Sequence, residues 1–241
     1  MPAVKDQAIV LRRLDYSETS QVLVFLTRDH GLQRLIGKGI KRGTKKQYAI
    51  GIDLLESGHL VFVKSTQGEG RLGTLTEWRQ TQSHLGLRDN LQRWYAGQYA
   101  AEITTAMVEE ADAHPDLFDA LMELLAFLAA GNDPQEGLVR YQCALLRTVG
   151  LWPDLTRCVA CDRPAPEGRA AYFSAQQGGL ICRNCQQMST EIRKVSAAVL
   201  TGLREGKWEQ ITIQSALNLL DFMISHIIGR PTSLSKLSLE G

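Results

Sequence analysis

Two Cys-x-x-Cys pairs constrain the fold of this chain more than any other feature of its sequence. Cys158-Val-Ala-Cys161 and Cys182-Arg-Asn-Cys185 are separated by residues 162–181. This spacing allows two tight turns to direct four thiolates at one tetrahedral centre. Four sulfur ligands fill the coordination shell of Zn²⁺ and leave no position for a reacting water. The sequence therefore predicts one structural zinc ion that organises the segment around it.

Two other interpretations of the paired cysteines stay open, a redox dithiol and two disulfides. Neither pair lies in the strand–helix–strand context typical of redox motifs. The composition, 44% hydrophobic and 22% charged, is that of a globular chain that can build its own core without disulfides. Charged residues interrupt the first 14 residues, so no signal-peptide pattern is present there and we expect a cytoplasmic protein with reduced thiols.

The first 80 residues carry five short apolar runs that are rich in β-branched residues and separated by turn signals. The runs are 8–11, 21–26, 32–36, 59–63 and 72–77. Five short strands with such turns predict a small barrel. Residues 68–73 match the dinucleotide motif G-x-G-x-x-G, but an alternating strand pattern follows them instead of a helix, which favours a hairpin turn.

After residue 80 the apolar period changes to that of amphipathic helices. Leu87, Leu91 and Trp94 begin a face that continues to Met107, and further helices are predicted over 115–130, 135–149, 190–203 and 215–228. Cys143 falls on the third helix and is expected to be a small core residue. The predicted fold class is α+β and multidomain: a barrel at 1–80, then a helical domain at 81–241 with an irregular zinc-binding insertion at 152–187.

The formal net charge of +1 hides an asymmetry along the chain. Residues 1–80 hold 13 Lys+Arg against 8 Asp+Glu, whereas the remaining residues hold 14 against 18. No acidic residue lies between Asp29 and Asp53, and six basic residues lie there: Arg34, Lys38, Lys41, Arg42, Lys45 and Lys46. An uneven charge distribution of this kind indicates that the first domain meets an anion.

Glycines at 37, 39 and 43 interleave the basic residues and allow the backbone to approach a polyanion closely. On a small barrel this segment predicts a groove for single-stranded nucleic acid, with Tyr16, Tyr48 and Phe62 as candidate stacking surfaces. The alternative is a solvated loop whose charges only maintain solubility.

Together these features resemble the RecO family of recombination mediators. The resemblance rests on residues 16–20 (Tyr-Ser-Glu-Thr-Ser), residues 37–42 (Gly-Lys-Gly-Ile-Lys-Arg) and the segment from Gly150 to Cys185. It implies an N-terminal OB-fold, a helical domain and a zinc insertion, in that order. Two departures concern local loop geometry: Ile40 stands where the family usually has a small residue, and residues 50–53 lack an aromatic often found before the fourth strand.

The resemblance also implies a function. It is that of a bacterial protein, nucleoid-associated during repair, that binds single- and double-stranded DNA and anneals complementary strands. The implied partners are the C-terminal tail of SSB and RecR, with which it helps to load RecA. We expect no covalent catalysis, no membrane and no small-molecule substrate. The alternative is a zinc-bearing protein-interaction adaptor or transcription regulator without annealing activity.

A zinc-dependent nucleobase deaminase is disfavoured by the sequence. That chemistry needs an open metal position and an H-x-E motif. The residues two positions after the five histidines are Leu32, Val61, Gly86, Asp116 and Ile228. None of the histidines therefore supplies the general acid/base motif.

Overall fold

The computed structural model describes residues 2–42, 51–64, 72–165, 168–188 and 191–234. The chain forms two compact units, Met1–Asn132 and Asp133–Gly241. The first contains a barrel and two helices, and the second contains three helices and a small sheet.

Five strands close the barrel of the first unit: β1 (Val4–Asp15), β2 (Gln21–Thr27), β3 (Gly31–Gly37), β4 (Ser57–Val63) and β5 (Gly73–Gln82). Their order around the barrel is β1-β2-β3-β5-β4. The β3–β5 pair is parallel and the other four pairs are antiparallel. This is an OB-like barrel, and the predicted fold class is confirmed, with each of the five apolar runs falling on a strand.

Alternating strand residues fill the barrel, because successive side chains of a strand point to opposite faces. The interior also takes in two isoleucines from outside the strands, Ile40 and Ile52, both essentially fully buried. Gly37 makes room for the first, since a Cβ at that position would lie 1.7 Å from Ile40 Cδ1. Ile40 thus anchors residues 38–41 to the barrel core.

Two helices complete the first unit, α1 (Leu91–Met107) and α2 (Pro115–Ala129). The helix expected from residue 87 begins at Leu91, because the Asn90 side chain caps it by accepting from the Arg93 N–H at 3.1 Å. A 3-10 turn at Leu85–Leu87 precedes that cap. Arg28, directly after β2, forms a bidentate ion pair with Asp119 of α2.

His84 is a buried histidine at the start of the 3-10 turn. Its Nε2 lies 3.2 Å from Ser57 Oγ of β4, and its backbone is left-handed, with φ 47°. Burial lowers the pKa of its imidazole below the usual 6.5. Burial therefore favours the neutral form of the His84 imidazole.

We expect His84 to make the first unit sensitive to mild acid. The unfolded chain takes up a proton near pH 6.5 and the folded chain only at lower pH, so stability present above pH 6.5 is lost as pH falls below it. The free energy of unfolding should decline by up to about 1.4 kcal/mol per pH unit in that window. His84→Asn, which tolerates the left-handed backbone, should flatten this decline in denaturant titrations. The matched change at exposed His59, His59→Asn, should retain the decline. If the free energy of unfolding falls equally with pH in both variants, His84 is not the group responsible.

The second unit consists of α3 (Pro134–Thr148), β6 (Ala171–Ser174), β7 (Gly179–Ile181), β8 (Ile192–Val195), α4 (Ala197–Glu205) and α5 (Gln210–Ile228). The three strands form an antiparallel sheet in the order β7-β6-β8. Cys143 of α3 is buried, as predicted, and burial raises the pKa of its thiol to about 12, so it is an inert core residue.

The sequence prediction was wrong for the beginning of the fourth predicted helix. Residues 192–195 form β8, which pairs with β6 along its whole length. The helix, α4, begins only after Ser196, whose hydroxyl accepts from the Val199 N–H at 3.3 Å. Likewise the segment expected to be irregular, 152–187, contains β6 and β7.

The helix α5 is long and apolar enough to cross a membrane by length and composition. Eight of its residues are nonetheless buried within the protein: Thr212, Ile213, Ala216, Leu217, Leu219, Leu220, Met223 and Ile224. The helix packs against α3 and α4. In this structure α5 is a core helix of the second unit.

Candidate metal centre and nucleic-acid surface

The four paired cysteines form one cluster in the second unit. Their Sγ atoms all lie within 4.8 Å of one another. The Sγ atoms of Cys161 and Cys182 are 3.8 Å apart. A tetrahedral zinc site with Zn–S bonds of about 2.3 Å has sulfur–sulfur edges of about 3.8 Å. The four thiols therefore match the geometry of a metal site, and all four are free of disulfides.

Two tight turns bring the cysteines together, as the spacing predicted. In the first, the Asp162 N–H donates to the Cys158 carbonyl at 2.8 Å, and Asp162 takes a left-handed backbone with φ 61°. In the second, the Cys185 N–H donates to the Cys182 carbonyl at 3.0 Å. The Cys182 N–H also donates to Cys158 Sγ at 3.3 Å, which links the two turns directly.

The pKa values of Cys158 and Cys185 are shifted in opposite directions. Burial acts to raise the pKa of Cys158, but backbone N–H groups, that of Cys182 foremost, outweigh it and lower the pKa to about 6. Hydrogen bonding with Cys182 and Cys161 raises the pKa of Cys185 to about 12. A bound metal ion would allow every sulfur to act as a thiolate ligand.

Two of the three arginines near the cysteines contact the first turn, one through its side chain and one through its backbone. Arg157 Nη1 binds both carboxylate oxygens of Asp162, at 2.9 and 3.0 Å. The Arg163 carbonyl accepts from the Cys158 N–H at 2.8 Å. The side chains of Arg163 and Arg183 are exposed. The Arg157 side chain and the Arg163 backbone therefore help to fix the loop that carries Cys158 and Cys161.

The basic segment of the first unit rests on the turn between β1 and β2. Residues Ile40–Arg42 form a 3-10 turn after Gly39, whose φ is 75°. The Lys41 N–H donates to the Thr19 carbonyl at 3.3 Å, and Lys41 Nζ lies 2.6 Å from Asp15 Oδ2. This ion pair lowers the pKa of Asp15, chiefly through the hydrogen bond from Lys41.

The other candidate contacts have different surroundings. Arg34 of β3 forms an ion pair with Glu110, and Lys38 is exposed. Lys45 and Lys46, like Tyr48, lie outside the described residues. The prediction of Phe62 as a stacking surface is wrong, because its side chain is fully buried in the barrel. Tyr16, in contrast, is 67% exposed.

The turn between β1 and β2 is held by its own serine. The Ser17 hydroxyl accepts from the backbone N–H groups of Thr19 and Ser20, at 3.3 and 3.1 Å. The Tyr16 and Ser17 N–H groups donate to the Ser20 carbonyl. The Ser17 side chain thus caps this turn, and it fixes the backbone that carries Tyr16.

Two sequence profiles of one family match nearly the whole chain. Recombination protein O N terminal matches residues 1–84, and Recombination protein O C terminal matches residues 88–234. The chain belongs to the RecO family. Its fold and role in DNA repair and recombination therefore agree with the resemblance seen in the sequence.

Individual relatives of this chain are named DNA repair protein RecO. DNA repair protein RecO of Rhodopirellula baltica is 32% identical over 199 residues, which cover 82% of this chain and 73% of the relative. The Bacillus subtilis RecO is 32% identical over 181 residues, 75% of this chain and 68% of the relative. The Halalkalibacterium halodurans RecO is 28% identical over 201 residues, 83% and 76%.

Proposed function

We propose that this chain is a non-catalytic, cytoplasmic mediator that binds and anneals single-stranded DNA and, with RecR, helps to load RecA onto SSB-coated DNA. The observation that carries the proposal is the basic turn, residues 38–42, which Ile40 anchors to an OB-like barrel. The chain that carries this turn belongs to a DNA repair family. Residues 1–80 would be the DNA-binding domain. The helical part, 81–241, would supply the surfaces for RecR and for the SSB tail.

The proposed DNA contacts are the cations of the basic segment. Each of Arg34, Lys38, Lys41, Arg42, Lys45 and Lys46 can neutralise one phosphate. Two of them are already held by carboxylates, Lys41 by Asp15 and Arg34 by Glu110. At these two cations a DNA phosphate would take the place of a carboxylate. The net gain in binding free energy is therefore limited. Moderate affinity suits a protein that must release paired strands.

Annealing follows from the same charges. Two strands repel one another through their phosphates, and cations that screen both strands at once lower the barrier to pairing. Holding both strands near one another also reduces the entropy cost of their encounter. Neither effect consumes a nucleotide.

The Asp15–Lys41 ion pair gives a test of this competition. Asp15→Asn should raise the affinity for single-stranded DNA by up to about fivefold, a small effect because solvent screens an exposed ion pair. Fluorescence anisotropy titrations would measure it. Glu18→Gln is the matched control, because it removes the same charge from an exposed position in the turn that follows β1. Equal gains in DNA affinity for both variants would show that Asp15 does not compete with DNA phosphates for Lys41.

For the metal centre we propose one structural zinc ion bound by Cys158, Cys161, Cys182 and Cys185. Four thiolates suit Zn²⁺ and complete its tetrahedral shell. The ion would stabilise the turns that follow β7 and precede β6, without any part in a reaction.

Titration of labelled single-stranded DNA at two salt concentrations tests the proposed function as a whole. Affinity should fall steeply as salt rises, with a log–log slope of about 0.7 for each phosphate neutralised. Complementary strands should then anneal faster in the presence of the protein, also when they are coated with SSB. A protein that ignores oligonucleotides in dilute buffer would instead be the zinc-bearing adaptor or regulator.

A further inference from the structure

The four clustered cysteines differ in how far solvent reaches them. Cys158 is buried, Cys182 and Cys185 are half-buried, and Cys161 is exposed. Oxidation of a cysteine depends on the access of the oxidant as well as on the thiolate character of the sulfur. Cys161 is therefore the sulfur of the cluster that a dissolved oxidant reaches first.

Cys161 lies beside a sulfur of the other turn. The Sγ atoms of Cys161 and Cys182 are 3.8 Å apart. A disulfide between them needs the two sulfurs to approach by less than about 2 Å. Exposed cations adjoin both cysteines, because Arg163 follows Cys161 by two positions and Arg183 follows Cys182 directly. Partly exposed surroundings with positive charge are typical of reactive cysteines.

Backbone hydrogen bonds tie the first turn to β7 independently of the sulfurs. The Val159 N–H donates to the Leu180 carbonyl at 2.8 Å, and the Leu180 N–H donates to the Asp154 carbonyl at 3.0 Å. The second turn begins at Cys182, directly after β7. The two turns therefore have a connection of their own, which keeps Cys161 within reach of Cys182 when a metal ion leaves.

We propose that Cys161 and Cys182 are a peroxide-sensitive pair, which closes to a disulfide between the two turns and releases the zinc ion. The Cys161 thiolate attacks a peroxide oxygen, so that an S–O bond forms, the O–O bond breaks and the leaving hydroxide takes up a proton. The Cys182 thiolate then attacks the sulfenic sulfur of Cys161, so that the S–S bond forms and a second hydroxide leaves as water. The two sulfurs lose two electrons, and peroxide is reduced to two waters.

This inference rests on the proposed zinc centre and adds a regulatory role to it. Once two of the four ligands are joined to one another, Cys158 and Cys185 no longer complete a tetrahedral shell, and they take up protons as the ion leaves. The new disulfide takes over the link between the turns, so the second unit stays folded. A thiol reductant and added zinc should then restore the original state. The pair is thus a reversible sensor of peroxide.

Peroxide treatment of the zinc-loaded protein tests the proposal. A chromogenic chelator should report the release of about one zinc ion per chain. Trypsin cleaves after Arg183, so peptides 170–183 and 184–193 each carry one cysteine of the second turn. We expect a new cross-link between peptide 170–183 and peptide 158–169, which carries both cysteines of the first turn. Fragmentation of the cross-linked peptides by mass spectrometry should identify Cys161 as the partner.

Two histidine variants form a matched pair. Cys161→His and Cys185→His both convert the cluster to three cysteines and one histidine, a ligand set that still binds zinc. Peroxide should release zinc from Cys161→His at least about tenfold more slowly than from wild type, because the sulfur that starts the reaction is absent. Cys185→His keeps both sulfurs of the pair and should release zinc at about the wild-type rate.

The outcomes distinguish the inference from the zinc proposal. Equal slowing in the two histidine variants, or a cross-link that joins peptide 184–193 in wild type, would overturn the Cys161–Cys182 pair. So would wild-type protein that keeps its zinc in peroxide, or a circular dichroism spectrum that shows unfolding when the disulfide forms. If Cys161→His binds no zinc, the cross-link map and the zinc release of wild type decide. A reduced wild-type protein without zinc would instead remove the zinc proposal itself.

Discussion

Replacing Cys158 and Cys182 with serine should abolish zinc binding and lower the unfolding midpoint of the second unit by about 10 °C or more. The two residues lie in different turns, and the Cys182 N–H donates to Cys158 Sγ, so the double change disrupts both turns together. Metal analysis should fall from one zinc per chain to none. Differential scanning calorimetry would report the lost stability, which is large because metal binding contributes directly to folding.

Cys143→Ala is the control for this experiment. It removes a cysteine that is buried in α3 and apart from the cluster. It should keep one zinc per chain, with only a modest loss of stability. Wild-type protein that is purified without metal and is indifferent to a chelator would contradict the zinc proposal, whatever the variants do.

Reversing three charges of the basic turn should reduce DNA affinity on the order of 100-fold at low salt. The variant is Lys38→Glu, Lys41→Glu, Arg42→Glu. The salt dependence of binding should also become shallower by about 2 in log–log slope, since each lost phosphate contact removes about 0.7. Annealing rates should fall in parallel, because the proposed mechanism relies on the same screening.

A control triple variant carries the same change of net charge elsewhere. Lys5, Lys194 and Lys207 are exposed, and none belongs to the basic turn. Their reversal to glutamate should affect binding only through long-range repulsion, which salt screens. Equal losses in the two triple variants would mean that DNA senses the overall charge and not the basic turn.

The sequence was most informative where its signals were local. Four cysteines at short spacings must converge if they share a metal, and their sulfurs do lie within 4.8 Å of one another. The five apolar runs of the barrel were equally clear, since each is short and turn signals separate it from the next. Local signals were weaker for β8, because the four residues Ile-Arg-Lys-Val suit a strand or the start of a helix. Pairing with β6, about 20 residues earlier, decides between them.

Long-range pairs were not predictable from the sequence. Asp15 and Lys41 meet only because the β1–β2 turn supports the 3-10 turn, and Arg34 meets Glu110 from beyond α1. Six basic residues therefore looked equivalent in the sequence, whereas two of them are held by carboxylates. Ile40 gave a similar lesson: as a departure from the family pattern it suggested a different loop, yet Gly37 leaves space for it in the barrel.

The position of β8 has a practical consequence for engineering. The cysteine-bearing segment looks like a detachable insertion, but β6 lies inside it and pairs with a strand beyond its end, directly before Ser196 and α4. Deleting 152–187 would strip β8 of its neighbour and expose unpaired backbone at the entry to α4. A minimal version of this protein should therefore keep the segment and vary only the tips of its turns.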